Sequence, residues 1–205
     1  MKFNLLFYGL LAVAIPAALF AEPSHDEKSS ALKNTVILVI RHAEKPDNGY
    51  GLSADGETRA KAYVKYFETF TINGQPLKLD YLFAAADSKE SHRPRLTIEP
   101  TSKALGLAID SRFKDKQFQE IASDIQSKPH GKAILIAWRH GEIPPLLAAL
   151  GADPAQVLPN GKWPSDVFGW LIELRYDENG KLSDVKCINE NLLPDDSNKH
   201  TLAKP

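Results

Sequence analysis

The chain of 205 residues balances 25 lysines and arginines against 26 aspartates and glutamates, for a formal net charge of −1. With no basic block and no basic aromatic stripe, a nucleic-acid partner is not expected, whereas a small or locally charged ligand is. Cys187 is the single cysteine, which excludes an intramolecular disulfide and a thiolate-rich metal site and leaves packing to stabilise the fold.

At the amino end, Lys2, the apolar stretch Leu5 to Phe20 and the small residue Ala21 have the pattern of an export signal. The stretch is short for a membrane span and contains Pro16, so no stable span is expected after cleavage near residue 21. Residues 22–34 read as a polar linker, 35–193 as one domain and 194–205 as a loose tail. Thr35 to Ile40 is a continuous β-branched run, as expected for a strand buried on both faces of a parallel sheet. Ser53 to Phe70 has helical spacing, with Ser53 or Asp55 as cap and Ala60, Tyr63, Val64 and Phe67 on one face. A turn at Asn73-Gly74 precedes a second buried strand over Leu79 to Ala86. Helices follow over Leu96 to Leu105, stopped by Gly106, and over Phe118 to Gln126. The third apolar run, Ala133 to Trp138, precedes a helix from Pro144 to Leu150. Phe168 to Arg175 and Leu182 to Ile188 form a hairpin about Asn179-Gly180. Alternating strands and helices predict an α/β three-layer sandwich with a mostly parallel central sheet.

Ligands of such sheets sit beyond the carboxyl ends of the strands. Two of the three buried runs end there in an Arg-His pair, Arg41-His42 and Arg139-His140. Arginine presents planar donors that match phosphate oxygens, and a neutral imidazole held at one nitrogen by a backbone carbonyl is free to attack phosphorus with the other. Arginines crowding both histidines would repel a metal cation, so neither a metal nor another cofactor is expected.

Arg41-His42-Ala43-Glu44 resembles the Arg-His-Gly/Ala-Glu signature of the histidine phosphatase, or phosphoglycerate mutase-like, superfamily. Gly51-Leu52-Ser53-Ala54-Asp55-Gly56 with Arg59-Ala60 is similar to the helix start that follows this signature. Arg93-Pro94-Arg95-Leu96-Thr97 resembles the family's Arg-x-x-x-Thr, and Ile134 to Gly141 resembles the strand bearing its second histidine. The resemblance covers residues 36–151. It implies a pocket of Arg41, His42, Arg93 and His140, with His42 as the nucleophile, because the Gly56 and Arg59 context follows His42 alone. Arg95 competes with Arg93 for the phosphate position, and Arg139 and Lys45 are further substrate contacts. Glu142 is favoured as proton donor and Asp87 is the alternative acid. The resemblance implies a phosphatase acting on a small phosphorylated substrate, and the export signal implies that it is periplasmic or secreted. The alternatives are a phosphoprotein or phosphohistidine phosphatase, and a catalytically weak phosphate-binding envelope protein.

Overall fold

The structure is a computed structural model that describes residue 1 and residues 31–196. The export segment, nearly all of the linker and the tail from residue 197 lie outside the described residues. The first strand, β1 (Val36–Arg41), leads through a loop to helix α1 (Ala54–Glu68). Ser53 caps α1 by accepting the Gly56 amide through its hydroxyl at 3.1 Å. The Asn73-Gly74 turn, at φ values of 50° and 77°, closes a separate two-stranded ribbon of β2 (Thr71–Ile72) and β3 (Gln75–Pro76). Then come β4 (Tyr81–Ala84), α2 (Arg93–Leu105), β5 (Ile109–Asp110), α3 (Phe118–Ser127), β6 (Ala133–Trp138), α4 (Ile143–Ala149), β7 (Trp170–Tyr176) and β8 (Leu182–Asn189).

The six-stranded sheet has the order β5-β4-β6-β1-β7-β8. Strands β5, β4, β6 and β1 pair in parallel, and β7 and β8 add as an antiparallel hairpin. On one face, Tyr63 and Phe67 of α1 and Ile98 of α2 pack on Leu38, Ile40, Leu82 and Leu135. On the other, Ile121 and Ile125 of α3 and Leu146 and Leu147 of α4 pack on Ile37, Val39, Phe83 and Ile136. Alternate residues of each central strand therefore feed opposite cores, as a sheet sandwiched between helices requires. No helix among the described residues is long and apolar enough to cross a membrane.

Three boundaries differ from the sequence reading. Helix α2 begins at Arg93 rather than Leu96, because Pro94 occupies its first turn, where the missing N–H costs nothing. The short strand β5 carries too little apolar pattern to be read in sequence, and is fixed by pairing Leu82 with Ile109. The tail expected from Pro194 onward is tied down as far as Asp196, which is buried and bonded to Arg59.

Candidate active site

Arg41 pairs in register with Trp138, so His42 and the Arg139-His140 pair leave adjacent parallel strands at the same rim. Ala84 pairs with Ala137, which brings the chain after β4, including Asp87, to that rim too. His42 is buried, its backbone N–H donating to the Trp138 carbonyl at 2.9 Å. Its Nδ1 lies 2.8 Å from the Ala43 carbonyl oxygen. A carbonyl only accepts, so Nδ1 carries the proton and Nε2 presents its lone pair. Burial, reinforced by the charges of Arg41 and Arg93 and by His140, pushes the His42 pKa down to about 3 despite the Ala43 hydrogen bond. The ring is neutral and nucleophilic across the physiological range.

The loop that carries His42 is fixed from two sides. Gly56 sits so close that a Cβ there would lie 2.4 Å from the Glu44 carbonyl oxygen, so α1 docks on this loop only with glycine at 56. Ser53 N–H also donates to that carbonyl, at 3.0 Å. From α2, the Thr97 hydroxyl donates to the Arg93 carbonyl at 2.7 Å and accepts the Ala43 N–H at 2.8 Å. Thr97 thereby locks the residue after His42 to the helix turn that carries Arg93. Glu44 makes no contact that suggests chemistry: it chelates the buried Arg59, at 2.7 to 3.1 Å.

Arg41 Nη1 donates to the carbonyls of Ser165 and Val167, each at 2.8 Å, and more weakly to Pro164 at 3.4 Å. The Phe168 ring lies 3.7 Å from its guanidinium carbon. Burial lowers the Arg41 pKa to about 10, so it remains a cation. Arg93 is buried at the start of α2, with Nη1 near the Gly49 carbonyl at 3.4 Å. Arg95 turns outward instead, to Asp87 at 2.9 Å and Glu99 at 3.7 Å. Of the two arginines, Arg93 is the one that acts on the charge of His42. His140 opens a short 3-10 turn and is half-buried; burial, then Arg41, Arg139 and Lys45, lower its pKa to about 4. Arg41 Nε, Arg93 Nε and His140 Nδ1 are all buried without a hydrogen-bond partner. Unpaired buried polar atoms are rare, and these three belong to the residues whose charges reach His42, a set suited to receiving an oxyanion.

Of the two acid candidates, Asp87 Oδ2 accepts from Arg95 Nε at 3.0 Å. Glu142 makes no cap hydrogen bond to α4 and lies in the groove beside His140. Arg139 lines the same groove, paired with Asp115 at 2.6 Å, and Lys45 is exposed and close enough to His140 to act on its charge. Sequence reasoning missed Thr97 as a positioning group, Asp115 as the partner of Arg139, and the carbonyls of 164–167. Only Thr97 had a signal, its place in the Arg-x-x-x-Thr pattern.

No protein-family model matches the chain, and no curated protein matches it. Solved structures do. A candidate alpha-ribazole-5'-P phosphatase from Escherichia coli superposes with a TM-score of 0.53 at 12% identity, over 76% of this chain and 96% of the other. A phosphoglycerate mutase from Plasmodium falciparum gives 0.48 at 16% identity, over 73% and 87%. The protein histidine phosphatase SixA complexed with tungstate gives 0.47 at 13% identity, over 74% and 96%. At such identities the likeness is one of fold, and the first superposition carries it. The chain shares the fold of that first structure, a three-layer sandwich on a mostly parallel sheet, and its motifs resemble those of the histidine phosphatase superfamily.

Proposed function

We propose that this protein is a metal-independent phosphatase that hydrolyses phosphomonoesters through a phosphohistidine on His42. The observation that carries the proposal is that Arg41, Arg93 and His140 all lie close enough to act on the charge of a neutral, buried His42, and that each has a buried nitrogen without a partner. A phosphoryl dianion placed there sets its oxygens against two guanidinium groups. The His42 Nε2 lone pair forms the N–P bond as the P–O bond to the leaving group breaks, and the electrons of that bond pass to the leaving oxygen. Glu142, the carboxylic acid without a competing arginine, protonates that oxygen. The Ala43 carbonyl stabilises the cationic phosphohistidine through Nδ1–H. In the second half, water attacks phosphorus, Glu142 takes its proton, and the N–P bond breaks to restore neutral His42. The sequence of residues 1–21 supports action outside the cytoplasm, which cell fractionation checks.

The test is phosphate release by the purified protein from a panel of phosphomonoesters with a chelator present and His42→Ala in parallel. Release that survives the chelator and is abolished in the variant is expected. Equal release by folded His42→Ala would remove His42 from the chemistry.

A further inference from the structure

The loop that carries His42 and the loop that holds Arg41 meet at one buried carboxylate, remote from both in sequence. Asp196 chelates the Arg59 guanidinium, with Oδ1 accepting from Nη2 at 2.6 Å and Oδ2 from Nη1 at 2.9 Å. Nε and Nη2 of the same guanidinium donate to Glu44 at 3.0 and 2.7 Å. Glu44 stands two residues beyond His42, so a single planar cation ties the His42 loop to Asp196.

The second tie runs to Arg41. Its Nη1 is held by the carbonyls of Ser165 and Val167, and two residues past Val167 comes Gly169. Gly169 is not among the glycines with positive φ, so its backbone conformation does not call for glycine. Packing does: a Cβ there would lie 2.4 Å from the Asp196 carboxyl carbon and 2.6 and 2.7 Å from its two oxygens. The carboxylate is fixed in that place from its own side, because Oδ2 also accepts the amides of Leu192 and Leu193 at 2.9 and 3.0 Å. Charge balance alone asks for none of the contact with Gly169, since Glu44 already chelates Arg59.

Resting on the phosphatase reading, we infer that Asp196 is a positioning residue for phosphoryl transfer: through Arg59 and Glu44 it holds the His42 loop, and by packing on Gly169 it holds the loop that fixes Arg41. The nucleophile and the positive charge then keep one separation while the bond to phosphorus forms, the stage at which small displacements cost the most rate. Asp196 supplies no atom to the reaction and acts only through these neighbours.

The experiment measures phosphate release by the full protein as wild type, Asp196→Ala, Gly169→Ala and the double variant, with inhibition constants for orthovanadate and inorganic phosphate. Vanadium takes a fifth ligand from a nucleophile, as phosphorus does in the transition state, and so reports the alignment of His42 with the arginines; phosphate stays tetrahedral and reports charge. Asp196→Ala and Gly169→Ala should each lower kcat about ten- to a hundredfold and weaken vanadate about tenfold, with phosphate changed less than about threefold. Gly169→Ala keeps every charge around Arg59, so it tests the contact even where Asp196→Ala folds poorly. The double variant should lose no more than Asp196→Ala, because the carboxylate that a Cβ at 169 meets is gone. A smaller folded fraction lowers the rate but leaves both inhibition constants as they were, so unchanged constants would overturn the positioning role. Constants that rise in step, or losses that multiply in the double variant, would overturn it too. In each of these cases release by the wild type keeps the phosphatase reading, whereas no release by folded wild-type protein overturns both.

Discussion

Replacing Glu190 by Gln should stabilise the protein at neutral pH, even though it removes a carboxylate 3.8 Å from a buried guanidinium. Arg59 is surrounded by Glu44, Asp196 and Glu190, and its two short chelates go to the first two. Glu190 is left with a 2.8 Å hydrogen bond from the Tyr63 hydroxyl and one oxygen, Oε1, without a partner. Burial raises its pKa to about 8, against the pull of Arg59 and Tyr63 and with the help of Asp196 and Glu44. Between the ordinary value of 4.5 and about 8, the folded protein keeps a proton that the unfolded chain has lost. Stability therefore falls as pH rises through this window and is level above it. The slope is at most about 1.4 kcal/mol per pH unit, so the loss reaches about 3 kcal/mol near pH 7. The Gln amide oxygen still accepts from Tyr63 and has no charge to desolvate, so Glu190→Gln should recover about 1–3 kcal/mol there and little near pH 5. Urea denaturation of both proteins near pH 5 and pH 8 measures this, and the difference between the proteins cancels every histidine they share. A variant less stable than wild type at both pH values would mean that Arg59 keeps Glu190 ionised, and the reasoning would fail.

Arg59→Met should cost about 3–5 kcal/mol in the same denaturation experiment, because it leaves the carboxylates of Glu44 and Asp196 without their cation; a loss under about 1 kcal/mol would show that they relax to solvent. Glu142→Gln should slow hydrolysis of alkyl phosphates far more than that of activated aryl phosphates, which scarcely need a proton on the leaving oxygen; equal losses would move the acid elsewhere, with Asp87→Asn the next variant to assay. Because the His42 pKa is held at about 3, kcat/KM corrected for the ionisation of the substrate should show no break near pH 6.5, and a break there would mean that the nucleophile is hydrated and titrates normally. The same depression means that the unfolded chain binds the His42 proton between about pH 6.5 and pH 3 while the fold does not, so this residue's contribution to stability declines on acidification through that range.

The three central strands were legible because their apolar runs are continuous and β-branched, a pattern that follows from burial on both faces. The two Arg-His pairs were legible because they end those runs, and a parallel sheet sends strand ends to one rim. What the sequence left open was settled by contacts between distant segments. Arg93 and Arg95 are two residues apart, and only their faces on α2 separate the buried one from its outward neighbour. Glu44 is legible as part of the signature, but the arginine it pairs with, Arg59, lies fifteen positions later on another element. Asp196 falls in the polar run that follows Pro194, and its partner lies 137 positions away.

Arg41 shows why such long-range contacts matter for catalysis as well as for stability. Its Nη1 is held by carbonyls from the loop that precedes β7, and its flat face is covered by Phe168. A guanidinium fixed in this way has lost its rotamer freedom during folding and need lose little more when a phosphoryl group arrives. Its Nε remains the unpartnered donor. The loop of 164–168 contributes no atom to the proposed reaction, yet it determines where the positive charge stands when the P–O bond breaks. A preformed charge of this kind stabilises the transition state without the reorganisation that water would require. The same holds for His42, whose neutral state is set by burial and whose tautomer is set by one backbone carbonyl. In both residues the strand end supplies the side chain and burial by distant elements sets its charge, while the His42 tautomer comes from its neighbour in sequence, Ala43.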